Sequence, residues 1–165
     1  MGYIVSGSGE IFLPAEDMNA AYQALMELNK HDELKRGGVW SEGVQTESHF
    51  SWMPADLSTL PTVHAIFTAL GFTTVIDEDG LWVHEYESNK TGQEGLFFAA
   101  IAPFIKHGGY FFWDGEDKDF WKWSFTNGKM YTMNGIHEYD PVGEEISLAA
   151  EIKATEEMLK GLKKL

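Results

Sequence analysis

Apolar residues recur along this chain in two rhythms, every second position in some stretches and every third or fourth in others, and the switches between them mark out its elements. The run from Tyr3-Ile4-Val5 to Ile11-Phe12-Leu13 has strand character, interrupted at Ser6-Gly7-Ser8-Gly9, where a bulge or tight bend is expected. Pro14 introduces a first helix, with Met18, Ala21, Tyr22 and Leu25 on one face and Gly37-Gly38 closing the region. Trp40, Val44, Phe50, Trp52 and Met53 are scattered among polar residues, which predicts a strand over 47–53 and a loop before it. A second helix follows, capped by Thr59 with Pro61 in its first turn, burying Val63, Ile66, Phe67 and Leu70 and stopping at Gly71.

Phe72 to Asp77 and Leu81 to Glu87 read as two strands of a hairpin turning at Glu78-Asp79-Gly80. Strict alternation puts Trp82, His84 and Tyr86 on one face and Leu81, Val83, Glu85 and Glu87 on the other. Thr91-Gly92-Gln93-Glu94 has the form of a capping box opening a third helix, with Leu96, Phe97, Ala100, Ile101 and Phe104 as its apolar face. Pro103 bends its last turns and Gly108-Gly109 ends it.

A meander is expected next: Tyr110 to Trp113, Phe120 to Thr126 and Lys129 to Met133. Asn127-Gly128 forms a type I′ turn between the last two strands, and Trp121, Trp123 and Phe125 face the core. After Pro141-Val142-Gly143 a final helix starts at Glu144-Glu145 and ends in lysines. Its seam of Leu148, Ile152, Thr155, Leu159 and Leu162 suits packing on the domain or on a second chain as a homodimer.

These elements predict an α+β fold: a mixed, mostly antiparallel sheet of roughly five to seven strands, helices mainly on one face, and a C-terminal helix. Residues 1–140 read as a single domain and 141–165 as the helical appendage. At 165 residues the chain can bury roughly 70% of its unfolded surface, enough for one complete core.

Composition then restricts function. With 26 acidic and 12 basic residues the formal net charge is -14. Arg36 is the sole arginine, so direct nucleic-acid binding, which needs clustered Arg and Lys, is disfavoured. The absence of cysteine removes disulfides, thiolate metal sites and cysteine nucleophiles, and fits a cytoplasmic protein. Neither a signal peptide nor a membrane-length apolar run is present, and Met1 to Ser6 fits a lipidation pattern only formally.

Motifs for chemistry are lacking. The histidines 31, 49, 64, 84, 107 and 137 show no compact metal-ligand spacing, and the acidic turn at 77–80 fails as a calcium loop, since Val75 and Tyr86 fall where carboxylates are needed. Ser6-Gly7-Ser8-Gly9 lacks the Gly-Lys-Ser/Thr end of a phosphate loop, and no G-x-S-x-G elbow occurs. No enzyme activity and no cofactor are expected.

The distinctive segment is 37–89, which carries eight carboxylates and neither Lys nor Arg. Glu42, Glu47, Asp77, Glu78, Asp79, Glu85 and Glu87 would form one acidic face if the 73–87 hairpin lies near the 40s loop. Such a face can imitate a phosphate backbone and occupy a cationic groove. A merely solubilising surface is the plainer explanation. Trp40, Trp52, Trp82 and Tyr86 are candidates for an aromatic pocket or interface, against ordinary packing of sheet on helices.

Gly109-Tyr110-Phe111-Phe112-Trp113-Asp114-Gly115-Glu116-Asp117, with Trp121-Lys122-Trp123-Ser124-Phe125 and Asn127-Gly128-Lys129, resembles a pattern in small uncharacterised acidic proteins of bacteriophages and prophages. The likeness spans roughly residues 64 to 135, with Gly2 to Ile11 also similar. It transfers no residue role. It implies a setting, the host cytoplasm, in which small acidic proteins inhibit host defence, as anti-CRISPR and anti-restriction proteins that imitate DNA do. The leading expectation is therefore a non-enzymatic binding protein acting on a basic, nucleic-acid-binding host protein. The alternative is an aromatic pocket that sequesters a nucleotide-like signalling ligand, and an unassigned enzyme is the third.

Overall fold

The computed structural model of the protein describes residues 4–88, 91–135 and 143–163. The expectations for Gly2-Tyr3, the terminal lipidation pattern, His137, Pro141-Val142 and Lys164 lie outside them. Among the described residues, nine strands and four α-helices follow in the order β1 (Val5–Pro14), α1 (Met18–Asn29), β2 (Gly37–Ser41), β3 (Val44–His49), α2 (Val63–Leu70), β4 (Phe72–Ile76), β5 (Gly80–Ser88), α3 (Glu94–Ile101), β6 (Gly109–Gly115), β7 (Phe120–Thr126), β8 (Lys129–Gly135), β9 (Glu144–Ile146) and α4 (Leu148–Lys163). Seven strands form one sheet in the order β4-β5-β1-β6-β7-β8-β9, and β2-β3 form a separate hairpin. Every pairing is antiparallel, so the fold is α+β as the pattern predicts. The N-terminal strand β1 is central, flanked by β5 and β6.

Local chemistry explains the boundaries. The turn Asn127-Gly128 has φ of 52° and 79°, and Gly71, at φ 112°, ends α2. The cap of α2 is Thr62, whose hydroxyl accepts from the Ala65 N–H at 3.0 Å. Thr59 instead lies in a preceding 3-10 turn, Leu57–Thr59, and Pro61 falls before the helix. The expected loop before residue 47 is the hairpin β2-β3, turned by Glu42-Gly43 with both residues at positive φ. The capping box is not formed as expected: α3 starts at Glu94, and the Glu94 carboxylate accepts from the Gly92 N–H at 2.9 and 3.0 Å. Glu144 and Glu145 belong to β9, paired with β8, and α4 begins at Leu148 with the Ser147 hydroxyl accepting from the Ala150 N–H.

The faces of β5 also differ from strict alternation. Glu85 pairs with Thr73 and Ser8, while Val83 pairs with Thr74 and Ile11. Relative to β1, His84 is opposed by two residues, Gly9 and Glu10, a bulge on β1 that overlaps the Ser6–Gly9 stretch where one is expected. Relative to β4, His84 is itself an extra residue at a β-bulge. Beyond it the phase flips. Leu81, Val83 and Tyr86 enter the core, while Trp82, His84, Glu85 and Glu87 lie on the opposite face.

One core joins the inward face of the sheet to α1, α2 and α3. Its centre is aromatic: Phe67 to Phe98 is 4.6 Å between centroids, Phe72 to Phe98 is 5.0 Å, and Trp113 to Trp123 is 4.8 Å. Each such pair adds about 0.5–1.5 kcal/mol beyond area burial. Trp123 and Phe125 are buried and Trp121 stacks on Trp113, as their shared spacing predicts. No helix among the described residues is long and apolar enough to cross a membrane.

Candidate functional site on the open sheet face

The face turned away from the helices is built by cross-strand rows. One row runs Thr73, Glu85, Ser8, Phe112, Lys122 across β4, β5, β1, β6 and β7. The next runs Glu87, Ser6, Asp114, Phe120. The side chains on β1 are short and those on its neighbours long, so the surface dips along the central strand. The result is a trough of about 720 Å³ with Ser6, Gly7 and Ser8 as its floor. Thr73, Glu85 and Glu87 line one side, and Phe112, Asp114 and Phe120 the other. A second hollow of about 430 Å³ continues it past Glu10, His84 and Tyr110.

β1 can carry this floor because of its glycines. A Cβ on Gly9 would collide with the Tyr110 carbonyl and the Phe111 backbone, so β1 and β6 approach more closely than side chains there permit. A Cβ on Gly7 would collide with the Phe111 ring beneath the sheet.

Among the described lining residues, charge in the trough has one sign. Glu85, Glu87 and Asp114 are exposed and line it without a described lysine or arginine, and Glu10, in the adjoining hollow, extends the series. Two lysines stand on the rim. The Lys122 ammonium lies 5.2 Å from the Phe112 ring centre and that of Lys106 lies 5.9 Å from Phe12. Glu85 and Glu87, alternate residues beyond the bulge, are roughly 7 Å apart along β5, and Glu87 and Asp114 flank β1 at roughly 10 Å. A cation over Ser6 therefore sits roughly 5 Å from Glu87 and Asp114, well within one Debye length of about 8 Å, with Glu85 near the edge of that range.

The predicted acidic face is not a single patch. Asp77 to Asp79 turn the β4-β5 hairpin at the opposite end of β5 from Glu87, roughly 26 Å away along the strand. Asp77 is engaged there, its carboxylate accepting from the N–H groups of Asp79 (2.8 Å) and Gly80 (3.1 Å). Glu42 and Glu47 are on the separate β2-β3 hairpin. Only Glu85 and Glu87 of the expected set line the trough, joined by Asp114, while Glu10 lines the adjoining hollow. The sequence signal for Glu10 is Ser6-x-Ser8-x-Glu10, alternate polar residues that mark one face of a strand.

Nor do the four candidate aromatics meet. Trp40 is 65% exposed on β2, and Trp52 packs beside the core with its indole N–H donating to the Ala69 carbonyl at 3.1 Å. Tyr86 is in the core, on the far side of the sheet from Trp82, because of the bulge at His84. Trp82 instead joins Phe12 (4.4 Å) and His84 (6.0 Å, parallel planes) on the open face.

Chemically the trough offers hydrogen-bond acceptors, hydroxyls and ring faces. Ser8 and His84 line the same hollow without a hydrogen bond between them. Among the described residues no group of three or more His, Asp or Glu is placed to hold a metal ion. No family model, no curated protein and no solved structure matches the chain.

Proposed function

We propose that the chain is a binding protein without catalysis of its own, which takes a cationic segment of a partner protein into the trough over β1. One observation carries this reading: Glu85, Glu87 and Asp114 surround a floor of small residues, with no basic residue among the described lining residues. Arginine suits such a place. Its guanidinium pairs with carboxylates in bidentate fashion and stacks on rings such as Phe112 and Phe120. The net charge of -14 adds long-range attraction for a basic partner. The resemblance to small phage proteins gives the proposal its specific form, an inhibitor occupying the nucleic-acid-binding surface of a host defence protein.

The test is calorimetric titration with a nona-arginine peptide over a salt series. Binding at low salt that weakens as salt rises supports the proposal, because exposed ion pairs are screened. No binding at low salt removes it. A nucleotide ligand is disfavoured, since its phosphates would meet three carboxylates and the aromatic pocket expected for it does not assemble.

A further inference from the structure

The carboxylates of the trough and its adjoining hollow stand at successive levels along β1. Ser6 pairs with Glu87 on one side and Asp114 on the other, Ser8 with Glu85 and Phe112, and Glu10 with Tyr110. Ser6, Ser8 and Glu10 are exposed and alternate along the strand, so these levels follow one another at roughly 7 Å and span roughly 13 Å. Each level offers a carboxylate: Glu87 and Asp114 at the first, Glu85 at the second and Glu10 itself at the third. Rings accompany them in the same order, Phe120 beyond Asp114, Phe112 across Ser8 from Glu85, and Tyr110 beside Glu10.

Width decides what can lie there. The walls belong to β5 and β6, the two neighbours of β1, and their backbones stand two inter-strand spacings apart, roughly 10 Å. An α-helix with its side chains is about 10–12 Å across, so it would ride on the rim. It also returns to one face about every 5.4 Å, out of step with the levels. An extended chain is thinner and turns every second side chain to the same side at roughly 7 Å, in step with them.

We infer that the segment taken into the trough is extended and carries basic side chains at alternate positions, which meet the carboxylates at the Ser6, Ser8 and Glu10 levels. This rests on the function proposed above and narrows it, from a cationic partner to a particular spacing of its charge. At the middle level Glu85 supplies the attraction, because on the opposite side the Lys122 ammonium stands 5.2 Å from the Phe112 ring centre.

Two peptides of equal composition and charge separate spacing from net attraction. In Ser-Arg-Ser-Arg-Ser-Arg-Ser the arginines share one side of an extended chain. In Arg-Ser-Ser-Arg-Ser-Ser-Arg they alternate sides when extended and share one face only in a helix. Titration of the isotope-labelled full chain at low salt, followed through the amide resonances of Ser6, Ser8 and Glu10, gives both dissociation constants, with nona-arginine as the reference. The first peptide is expected to bind at least about threefold more tightly, because it adds two exposed ion pairs of modest strength. No preference for it, or a preference for the second peptide, overturns the inference; if nona-arginine still binds, the broader function stands. Absence of nona-arginine binding removes both.

Discussion

The Tyr86 hydroxyl donates to the Glu94 carboxylate at 3.1 Å, with Tyr86 1% and Glu94 3% exposed, and this pair ties the central sheet to the first turn of α3. Glu94 also accepts from the Gly92 N–H, so one buried carboxylate orders both the approach to the helix and the strand beneath it. Removing the hydroxyl takes a donor from a buried charge. Tyr86→Phe should destabilise the fold by about 1–3 kcal/mol, measured as a lowered urea midpoint with unchanged slope.

Burial and the neighbouring Glu94 charge push the Tyr86 phenol above its ordinary range near 10. Folding therefore favours the protonated phenol. The stabilisation is complete below the unfolded-state value and is lost as pH rises past it toward the raised folded value. Stability should fall more steeply above about pH 10 in the native chain than in Tyr86→Phe, read from thermal midpoints across that range.

Gly9 and Ser8 are adjacent on β1 and should respond oppositely. Gly9→Ala drives a methyl into the Tyr110–Phe111 backbone and should cost about 1–3 kcal/mol. Ser8→Ala changes an exposed side chain on the open face and should stay within about 0.5 kcal/mol. Thermal denaturation of the two variants checks the close β1-β6 approach that forms the trough floor.

The Gln93 side chain accepts from the N–H groups of Arg36 (3.1 Å) and Ser51 (3.2 Å) and donates to the Leu34 carbonyl, bracing both ends of the β2-β3 hairpin. Gln93→Ala should raise amide hydrogen exchange over residues 36–51 while the seven-stranded sheet keeps its protection. Uniform loss of protection across the chain would show the hairpin to be more deeply integrated than these bonds imply.

Elements set by local chemistry are legible in the sequence. Asn127-Gly128 tolerates positive φ at both positions, Gly71 ends α2 for the same reason, and Val63, Ile66, Phe67 and Leu70 are buried at the expected spacing. Features set by pairing are not. The bulge at His84 exists only relative to Thr73-Thr74, and the one at Gly9-Glu10 only relative to His84, so no count along β5 alone places Tyr86 inward. Glu42-Gly43 turns a hairpin without the Asn or Asp that usually signals one, and β9 is a strand because β8 lies beside it. The trough was half visible: the run free of Lys and Arg includes Glu85 and Glu87, but Asp114 reaches them only through the order β5-β1-β6.

The most direct measurement compares nona-arginine binding by Glu85→Gln/Glu87→Gln/Asp114→Asn with binding by Glu42→Gln/Glu47→Gln/Glu78→Gln, which removes the same charge away from the trough. A cation seated over Ser6 predicts at least about fivefold weaker binding for the first variant and little change beyond general screening for the second. Equal weakening of both would contradict a specific site, leaving only the attraction of a negatively charged molecule for a positive one.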